Sequence, residues 1–364
     1  MNRLVRIIRS VLQGQKLSVK IDESLLSLAQ FHSVAPFLYP CMDVQSTDKA
    51  VADKVTQIYF TALKRDVIQF NERESLEGQF EQSQIPHLSL KGMVMKSFYP
   101  QTHLRTMGDL DYLVPPSHFD KARRIICESG YKIETNCEQH LEFIKPPIMV
   151  VELHRLLIND DEMGRGLFEN VIERCRVKKG YSYALEMSDE DFYLHLMLHL
   201  IKHLVLGGTG LRSFIDVYLY LKAKPDLDRS YIDLAFGSTD YVNTIKLVER
   251  FSIDLFDGNP LDGEELALLE SVTNSGTYGT ITNKSQAELQ KTDNSVIKVV
   301  FRRLFPTVQA MKGWYPVLGK GAGIILLPFC YVWHVISRVF SRNSYRRINQ
   351  LVKTKKQNSR NEKK

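Results

Sequence analysis

The sequence predicts an α/β (α+β) fold, in which a small mixed sheet is flanked by helices and lies between helical segments. Apolar residues recur at helical spacing through residues 1–80 and again after residue 188. Between them, short apolar runs bounded by glycine and proline alternate with an amphipathic helical pattern, which favours short strands around a helix. We therefore predict an N-terminal helical segment (1–80), a sheet-containing core (81–185), a helical domain (186–295) and a C-terminal segment (296–364).

The composition and charge limit the classes of partner. The chain has 364 residues, of which 44% are hydrophobic and 25% charged, typical of a globular protein with more than one domain. Its net charge is +6, but residues 341–364 hold nine basic residues and one acid, so the rest sums to −2. The body is therefore not a basic nucleic-acid-binding domain. Attraction to RNA or an anionic membrane would reside in the tail, unless the tail is only a solubilising terminus.

The cysteines and the N-terminus favour a cytoplasmic location. The five cysteines are Cys41, Cys127, Cys137, Cys175 and Cys330. Their odd number and the lack of a Cys-x-x-Cys pair argue against a disulfide framework and for a reducing compartment. Arginines interrupt the apolar run in Met1 to Gln15, which predicts an amphipathic helix rather than a signal peptide.

Short strands are predicted throughout residues 81–185. Their predicted positions are His87 to Leu90, Asp109 to Val114, Tyr131 to Ile133, Leu141 to Ile144 and Ile148 to Leu153. Helices are predicted at Met93 to Phe98 and at Phe119 to Ser129, the second capped by Gly130.

Two carboxylates share one face of the predicted strand Asp109 to Val114. Asp109 and Asp111 are two residues apart, a spacing that points both side chains the same way. Neighbouring carboxylates repel each other unless a cation lies between them. Mg²⁺ or Mn²⁺ favours such oxygen ligands, and two such ions can activate a hydroxyl and stabilise leaving pyrophosphate. The alternative for Asp-x-Asp alone is a solvated strand edge.

A third carboxylate is predicted on a neighbouring strand. Glu152 lies in an apolar run, where an isolated acid is unfavourable unless it is paired or bound to metal. We expect Glu152 to converge with Asp109 and Asp111, completing one metal site and helping to deprotonate the nucleophile. His154, two residues on, would share this face and is a candidate substrate contact.

The order of these residues resembles a known family. It reads Lys91-Gly92, Tyr99-Pro100, Arg105, Asp109, Asp111, Leu113-Val114 and then Glu152-Leu153-His154. This order is similar to the polymerase-β nucleotidyltransferase superfamily, and most similar to a bacterial family known as uncharacterised nucleotidyltransferases. The similarity extends to Ala29 to Tyr39, to His199 and to the motifs Leu304-Phe-Pro306 and Tyr315-Pro316, and so covers most of the chain. The Lys-Gly and Arg-x-x-x-Asp-x-Asp parts also resemble abortive-infection nucleotidyltransferase toxins.

The resemblance implies a polymerase-β-like core that transfers an NMP from an NTP to an unidentified acceptor and releases pyrophosphate. The implied catalytic and metal-binding residues are Asp109, Asp111 and Glu152, and the implied nucleotide-binding residues are Lys91, Gly92 and Arg105. Most superfamily members have Gly-Ser at the turn where this chain has Lys91-Gly92. Gly92 still permits close backbone approach, and Lys91 supplies positive charge to a triphosphate.

Three other functions remain open from the sequence. One is a non-catalytic protein that binds a nucleotide or a partner on the same fold. Another is a toxin-like tRNA nucleotidyltransferase, and the third is a membrane-associated member of a surface-polysaccharide pathway. The acceptor is a small molecule, a glycan, a protein or RNA.

Weaker motifs lie after residue 188. Three histidines fall one turn apart on one helical face: His195, His199 and His203. They predict either a zinc site or a face packed on the catalytic core, where His199 or His203 would contact substrate. Asp216 is expected to pair with Arg212 one turn before it, and Gly207 to Gly210 to form an interhelical turn.

An apolar block, Gly321 to Phe340, precedes the basic tail. It is short for a bilayer span, and Pro328 lies inside it. We expect a helix that packs in the core, with peripheral membrane contact through residues 321–364 as the alternative.

Overall fold

The chain forms two compact units of unequal size. The computed structural model describes residues 1–136, 139–158, 166–237, 241–276, 295–305, 308, 311 and 325–339. The larger unit comprises Met1–Thr135, Gln139–Lys202 and Thr209–Thr277, and the smaller comprises Asn136–Glu138, His203–Gly208 and Tyr278–Lys364. The basic tail, at 341–364, lies outside the described residues.

A mixed sheet is the centre of the larger unit. Its strands are β1 (His87–Ser89), β2 (Leu110–Leu113), β3 (Lys132–Asn136), β4 (His140–Lys145), β5 (Met149–His154), β6 (Arg176–Val177) and β7 (Ala184–Glu186). They lie in the order β3-β4-β5-β2-β1-β7-β6. The pairs β2–β5 and β1–β7 are parallel, whereas β1–β2, β4–β5 and β6–β7 are antiparallel. The predicted α/β (α+β) class with a mixed sheet is confirmed.

The described helices lie before, between and after these strands along the chain. They are α1 (Asn2–Leu12), α2 (Glu23–Phe31), α3 (Lys49–Gln82), α4 (Gly92–Met95), α5 (Phe119–Glu128), α6 (Val171–Arg174), α7 (Asp189–Leu206), α8 (Leu211–Ala223), α9 (Arg229–Gly237), α10 (Val242–Asp257), α11 (Gly263–Ser275), α12 (Val296–Leu304) and α13 (Leu327–Val339). The start of α7 is capped by Ser188, whose hydroxyl accepts from the amide of Asp191. The stretch Gly207 to Gly210 joins α7 to α8, which confirms the predicted interhelical turn.

The apolar core fixes which face of the sheet carries the acids. On β2 and β5, alternate side chains enter a core shared with α3 and α5. This core includes Leu110, Tyr112, Val151 and Leu153 from the strands, with Phe80 from α3 and Ile126 from α5. Because successive strand residues point to opposite faces, Asp111 and Glu152 are directed away from that core.

The apolar helix α13 exposes one of its faces. Phe329, Val332 and Trp333 follow a helical i, i+3, i+4 spacing, and Phe329 and Trp333 are 72% and 65% exposed. Packing of this face in a core was the wrong expectation, although His334 on another face is buried. Among the helices of the described ranges, α13 included, none is long and apolar enough to cross a membrane.

Candidate active site

The sheet register brings three acids together. In the parallel pair β2–β5, Asp111 lies directly opposite Glu152. Asp109 precedes β2 by one residue and faces the same side as Asp111. One carboxylate oxygen from each of the three lies within 4.8 Å of the others. We call these three residues the carboxylate cluster; the convergence expected from the sequence is therefore present.

Lys91 and His154 donate to the cluster, and Nε2 of His140 lies 3.8 Å from Oε1 of Glu152. Oδ1 of Asp111 accepts hydrogen bonds from Nζ of Lys91 at 2.7 Å and from Nε2 of His154 at 2.9 Å. The same Nε2 lies 3.2 Å from Oε2 of Glu152. Since one ring nitrogen faces two carboxylate oxygens, Nε2 is the protonated nitrogen of His154.

The surroundings shift the pKa values of Asp109 and Asp111 in opposite directions. Burial alone would raise the pKa of Asp111, but the ammonium of Lys91 and the hydrogen bond from His154 hold it well below its usual range. Asp109 has no such donor: burial first, and then the charges of Asp111 and Glu152, raise its pKa to about 6. Burial lowers the pKa of His154, but its bonds to Asp111 and Glu152 outweigh this and raise it. Of these two acids, Asp109 is thus the one whose ionised form the chain itself stabilises least.

The donor sets fit metal ions. The carboxylate cluster offers three hard oxygen ligands, which suit Mg²⁺ or Mn²⁺. A second group, His140, Glu152 and His154, has its ligand atoms within the same 4.8 Å and shares Glu152 with the cluster. Sequence reasoning missed His140. His140 lies opposite His154 in the antiparallel pair β4–β5. This neighbour relation can be recognised only when the register of the two strands is known.

The Lys91-Gly92 turn connects β1 to α4 beside the cluster. Lys91 has a φ of 45°, a conformation that residues with a side chain seldom adopt. A Cβ added to Gly92 would lie 2.5 Å from Nη1 of Arg105. Glycine is therefore required here by close approach of a side chain.

Arg105 is buried in an ion pair that sequence reasoning did not find. Its Nε and Nη2 donate to the two carboxylate oxygens of Asp216 on α8, at 2.9 and 2.7 Å. The hydroxyl of Tyr99 also donates to Asp216, at 2.7 Å. We call these three residues the Arg105 cluster. The partner predicted for Asp216, Arg212, donates to the carbonyl of Thr106, so the structure corrects that pairing.

Of the α7 histidines, His195 is influenced by the charges of Lys91, His154 and Asp111. It is buried, with its ring centroid 5.9 Å from that of Phe168 and 6.2 Å from that of His199. Burial, with smaller contributions from the charges of Lys91 and His154, lowers the pKa of His195 to about 3, so its imidazole is neutral. No α7 histidine belongs to either of the metal-binding groups found in the described ranges. His199 is half-buried beside His195.

Comparisons with known proteins give one family and two solved structures. A solution structure of the antibiotic-resistance factor ANT(2″)-Ia is 11% identical, covers 51% of this chain and 91% of that one, and has a TM-score of 0.28. A crystal structure of ANT(2″)-Ia with adenylyl-2″-tobramycin is also 11% identical, covers 51% and 97%, and has a TM-score of 0.27. No curated protein matches. The family described as "uncharacterised nucleotidyltransferase" matches residues 20–235, a range that contains strands β1 to β7 and the whole carboxylate cluster.

Proposed function

The chain belongs to the family of uncharacterised nucleotidyltransferases, and from this premise we propose that it transfers an NMP from an NTP to an acceptor and releases pyrophosphate. The reaction takes place at the carboxylate cluster. One observation supports this most: Asp111 and Glu152 are direct neighbours on parallel strands, with Asp109 within 4.8 Å. Three acids at this spacing repel one another and are stabilised when a divalent cation binds them.

Asp109, Asp111 and Glu152 hold Mg²⁺ or Mn²⁺ in this proposal. When bound, such an ion polarises phosphate oxygens and makes an attacking hydroxyl more acidic. The acceptor nucleophile forms a bond to the α-phosphorus, and the bond from that phosphorus to the oxygen leading to the β-phosphate breaks. Glu152 lies at the edge of the cluster and takes the proton from the nucleophile. His154 holds Asp111 and Glu152 in place through its Nε2.

The Lys91-Gly92 turn receives the triphosphate. The ammonium of Lys91 supplies positive charge there, and Gly92 lets phosphate oxygens approach the backbone closely. Arg105 was expected to contact the nucleotide itself. Because its guanidinium is buried against Asp216, we assign it the role of a positioning residue that packs closely against Gly92. His199 contacts the substrate in this proposal.

A screen of the four NTPs tests this function. Each α-labelled NTP is incubated with the protein, Mg²⁺ or Mn²⁺, and acceptor pools of small molecules, glycans, proteins and RNA, with pyrophosphate measured in parallel. We expect labelled product with one NTP and one pool, and none from Asp111→Asn. The matched control is Asp120→Asn, because Asp120 is 87% exposed on α5 and away from the cluster. Nucleotide binding without any pyrophosphate would favour the non-catalytic alternative.

We also propose that the C-terminal segment contacts an anionic lipid surface, in keeping with a cytoplasmic location. The exposed apolar face of α13 supplies apolar burial, and each basic residue of the +8 tail adds about 1 kcal/mol near such a surface. Vesicles of phosphatidylserine and phosphatidylcholine provide the test. The double variant Phe329→Ser/Trp333→Ser should abolish sedimentation with anionic vesicles, whereas Leu234→Ser, at an exposed apolar residue of α9, should not. Equal sedimentation of both variants would contradict the contact.

A further inference from the structure

The ammonium of Lys91 lies where a cation would bridge two strands. Its Nζ is 2.7 Å from Oδ1 of Asp111 and 3.9 Å from Oε2 of Glu152. These two residues are direct neighbours across the parallel pair β2–β5. Nζ therefore lies between the very carboxylates that a bridging metal ion would join.

The backbone holds Lys91 in this position at an energetic cost. A non-glycine residue at a φ of 45° is strained by about 1–3 kcal/mol, and such strain persists only where the surroundings impose it. The carbonyl of Lys91 accepts the amides of Val94 and Met95, so the residue also begins α4. Glycine would adopt this conformation without strain. Lysine at this position is therefore best explained by its ammonium.

The charges of the site match one divalent ion. The carboxylate cluster carries −3 when ionised, and Lys91 reduces this to −2. Lys91 and His154 both donate to Oδ1 of Asp111, and Nε2 of His154 also lies 3.2 Å from Oε2 of Glu152. The oxygens of Asp109 and Oδ2 of Asp111 are not acceptors in these bonds, so they are the oxygens of this pair that are available to an ion.

We infer that Lys91 is a built-in cation that takes the place of one of the two divalent ions expected at such a site. Before nucleotide binds, the protein then holds a single ion, on Asp109 and Asp111. This inference rests on the proposed function. It gives the Lys91 ammonium a role during transfer, which is to neutralise negative charge on the leaving pyrophosphate from a fixed position.

Counting bound Mn²⁺ tests the inference without nucleotide or turnover. Mn²⁺ is titrated into the protein and the free ion is measured by EPR. We expect one bound ion per chain in the natural protein and two in Lys91→Gly, a variant that removes the ammonium and also relieves the strained φ. Lys91→Met should likewise bind two. The matched control is Lys96→Met, which removes a buried lysine paired with Asp66 and should leave the count at one.

The outcomes separate this inference from the proposed function. Two ions in the natural protein, or one in both Lys91 variants, overturn the role of Lys91 even if NMP transfer is found. The expected counts without any NMP transfer would uphold the built-in cation and remove the proposed function. No bound Mn²⁺ in the natural protein overturns both.

Discussion

Two ionic clusters of the larger unit lie on either side of the Lys91-Gly92 turn and differ in their balance of charge. In the Arg105 cluster, one guanidinium meets one carboxylate through two hydrogen bonds, and a phenol adds a third. In the carboxylate cluster, three acids meet one ammonium and two imidazoles. The first is complete within the chain, whereas the second has negative charge left over. Surplus charge of one sign is thus the feature that distinguishes a binding site from a buried structural ion pair.

The difference has an energetic consequence. Removing one partner of a balanced buried pair leaves an uncompensated charge and is strongly destabilising. Removing one charge from a surplus of like charges relieves repulsion and should be neutral or stabilising in the absence of metal. The predictions below use this contrast, in decreasing order of expected effect.

The largest effect is expected on transfer from Asp109→Asn. Asp109 binds metal in the proposed reaction, so its loss should lower the transfer rate by at least about 10³-fold, or roughly 4 kcal/mol of transition-state stabilisation. Because burial and the two neighbouring carboxylates disfavour the ionised form of Asp109, the variant should melt in EDTA at the temperature of the natural protein or above it. Steady-state rates and thermal melts measure the two effects. A clear drop in melting temperature in EDTA would show that Asp109 is structural.

Asp216→Asn should have the opposite signature. It leaves the Arg105 guanidinium without its anion, so the free energy of unfolding should fall by about 3–5 kcal/mol. Residual transfer should follow the folded fraction. Urea unfolding measures the loss, and Asp257→Asn serves as the control, since Asp257 pairs with the half-exposed Lys222. A loss under about 1 kcal/mol for Asp216→Asn would mean that the buried pair contributes little.

The next largest effect is expected in the pH dependence of stability, where the carboxylate cluster should differ from the Arg105 cluster. The pKa of Asp109 is raised from 3.8 to about 6, so between these values the folded protein holds more protons than the unfolded chain. Metal-free stability attributable to this group should therefore fall as the pH rises from about 4 to 6, by an amount on the order of 2 kcal/mol. The affinity for Mn²⁺ should rise over the same range as the proton leaves. Metal-free melts of Asp109→Asn should lack this decrease.

Local sequence rules identified the acids but not their partners. Asp109 and Asp111 were found because a two-residue spacing defines one strand face, and Glu152 because an acid in an apolar strand demands a partner. The Arg105–Asp216 pair joins residues 111 positions apart, and no local pattern specifies such a contact. The same holds for Lys91, whose ammonium reaches Asp111 only once β1 and β2 are paired.

The sequence did not predict strands β6 and β7, and the reason here is different. Strands β6 and β7 have two and three residues, too few to show an alternating pattern. They form because β1 offers an edge on which β7 pairs in parallel. A tertiary template, rather than intrinsic propensity, creates them.

The smallest effect is expected at Gly92, where the two clusters meet. A methyl group there would lie 2.5 Å from Nη1 of Arg105, so Gly92→Ala must displace a guanidinium that Asp216 holds. We expect a loss of about 1–2 kcal/mol in stability, the usual effect of forcing an extra methyl group into a packed site. Urea unfolding measures it.

A double-mutant cycle shows whether Gly92 acts through Arg105. Arg105→Lys keeps a positive charge near Asp216 but removes Nη1. The removal of Nη1 makes room for the added methyl group. Gly92→Ala should therefore be less destabilising in the Arg105→Lys background, with a coupling energy of about 0.5–1 kcal/mol. Additive effects would show that Gly92 is required for another reason, such as the approach of a phosphate to its backbone. In that case Gly92→Ala should reduce NTP binding by the same factor in both backgrounds, and the two clusters would be independent.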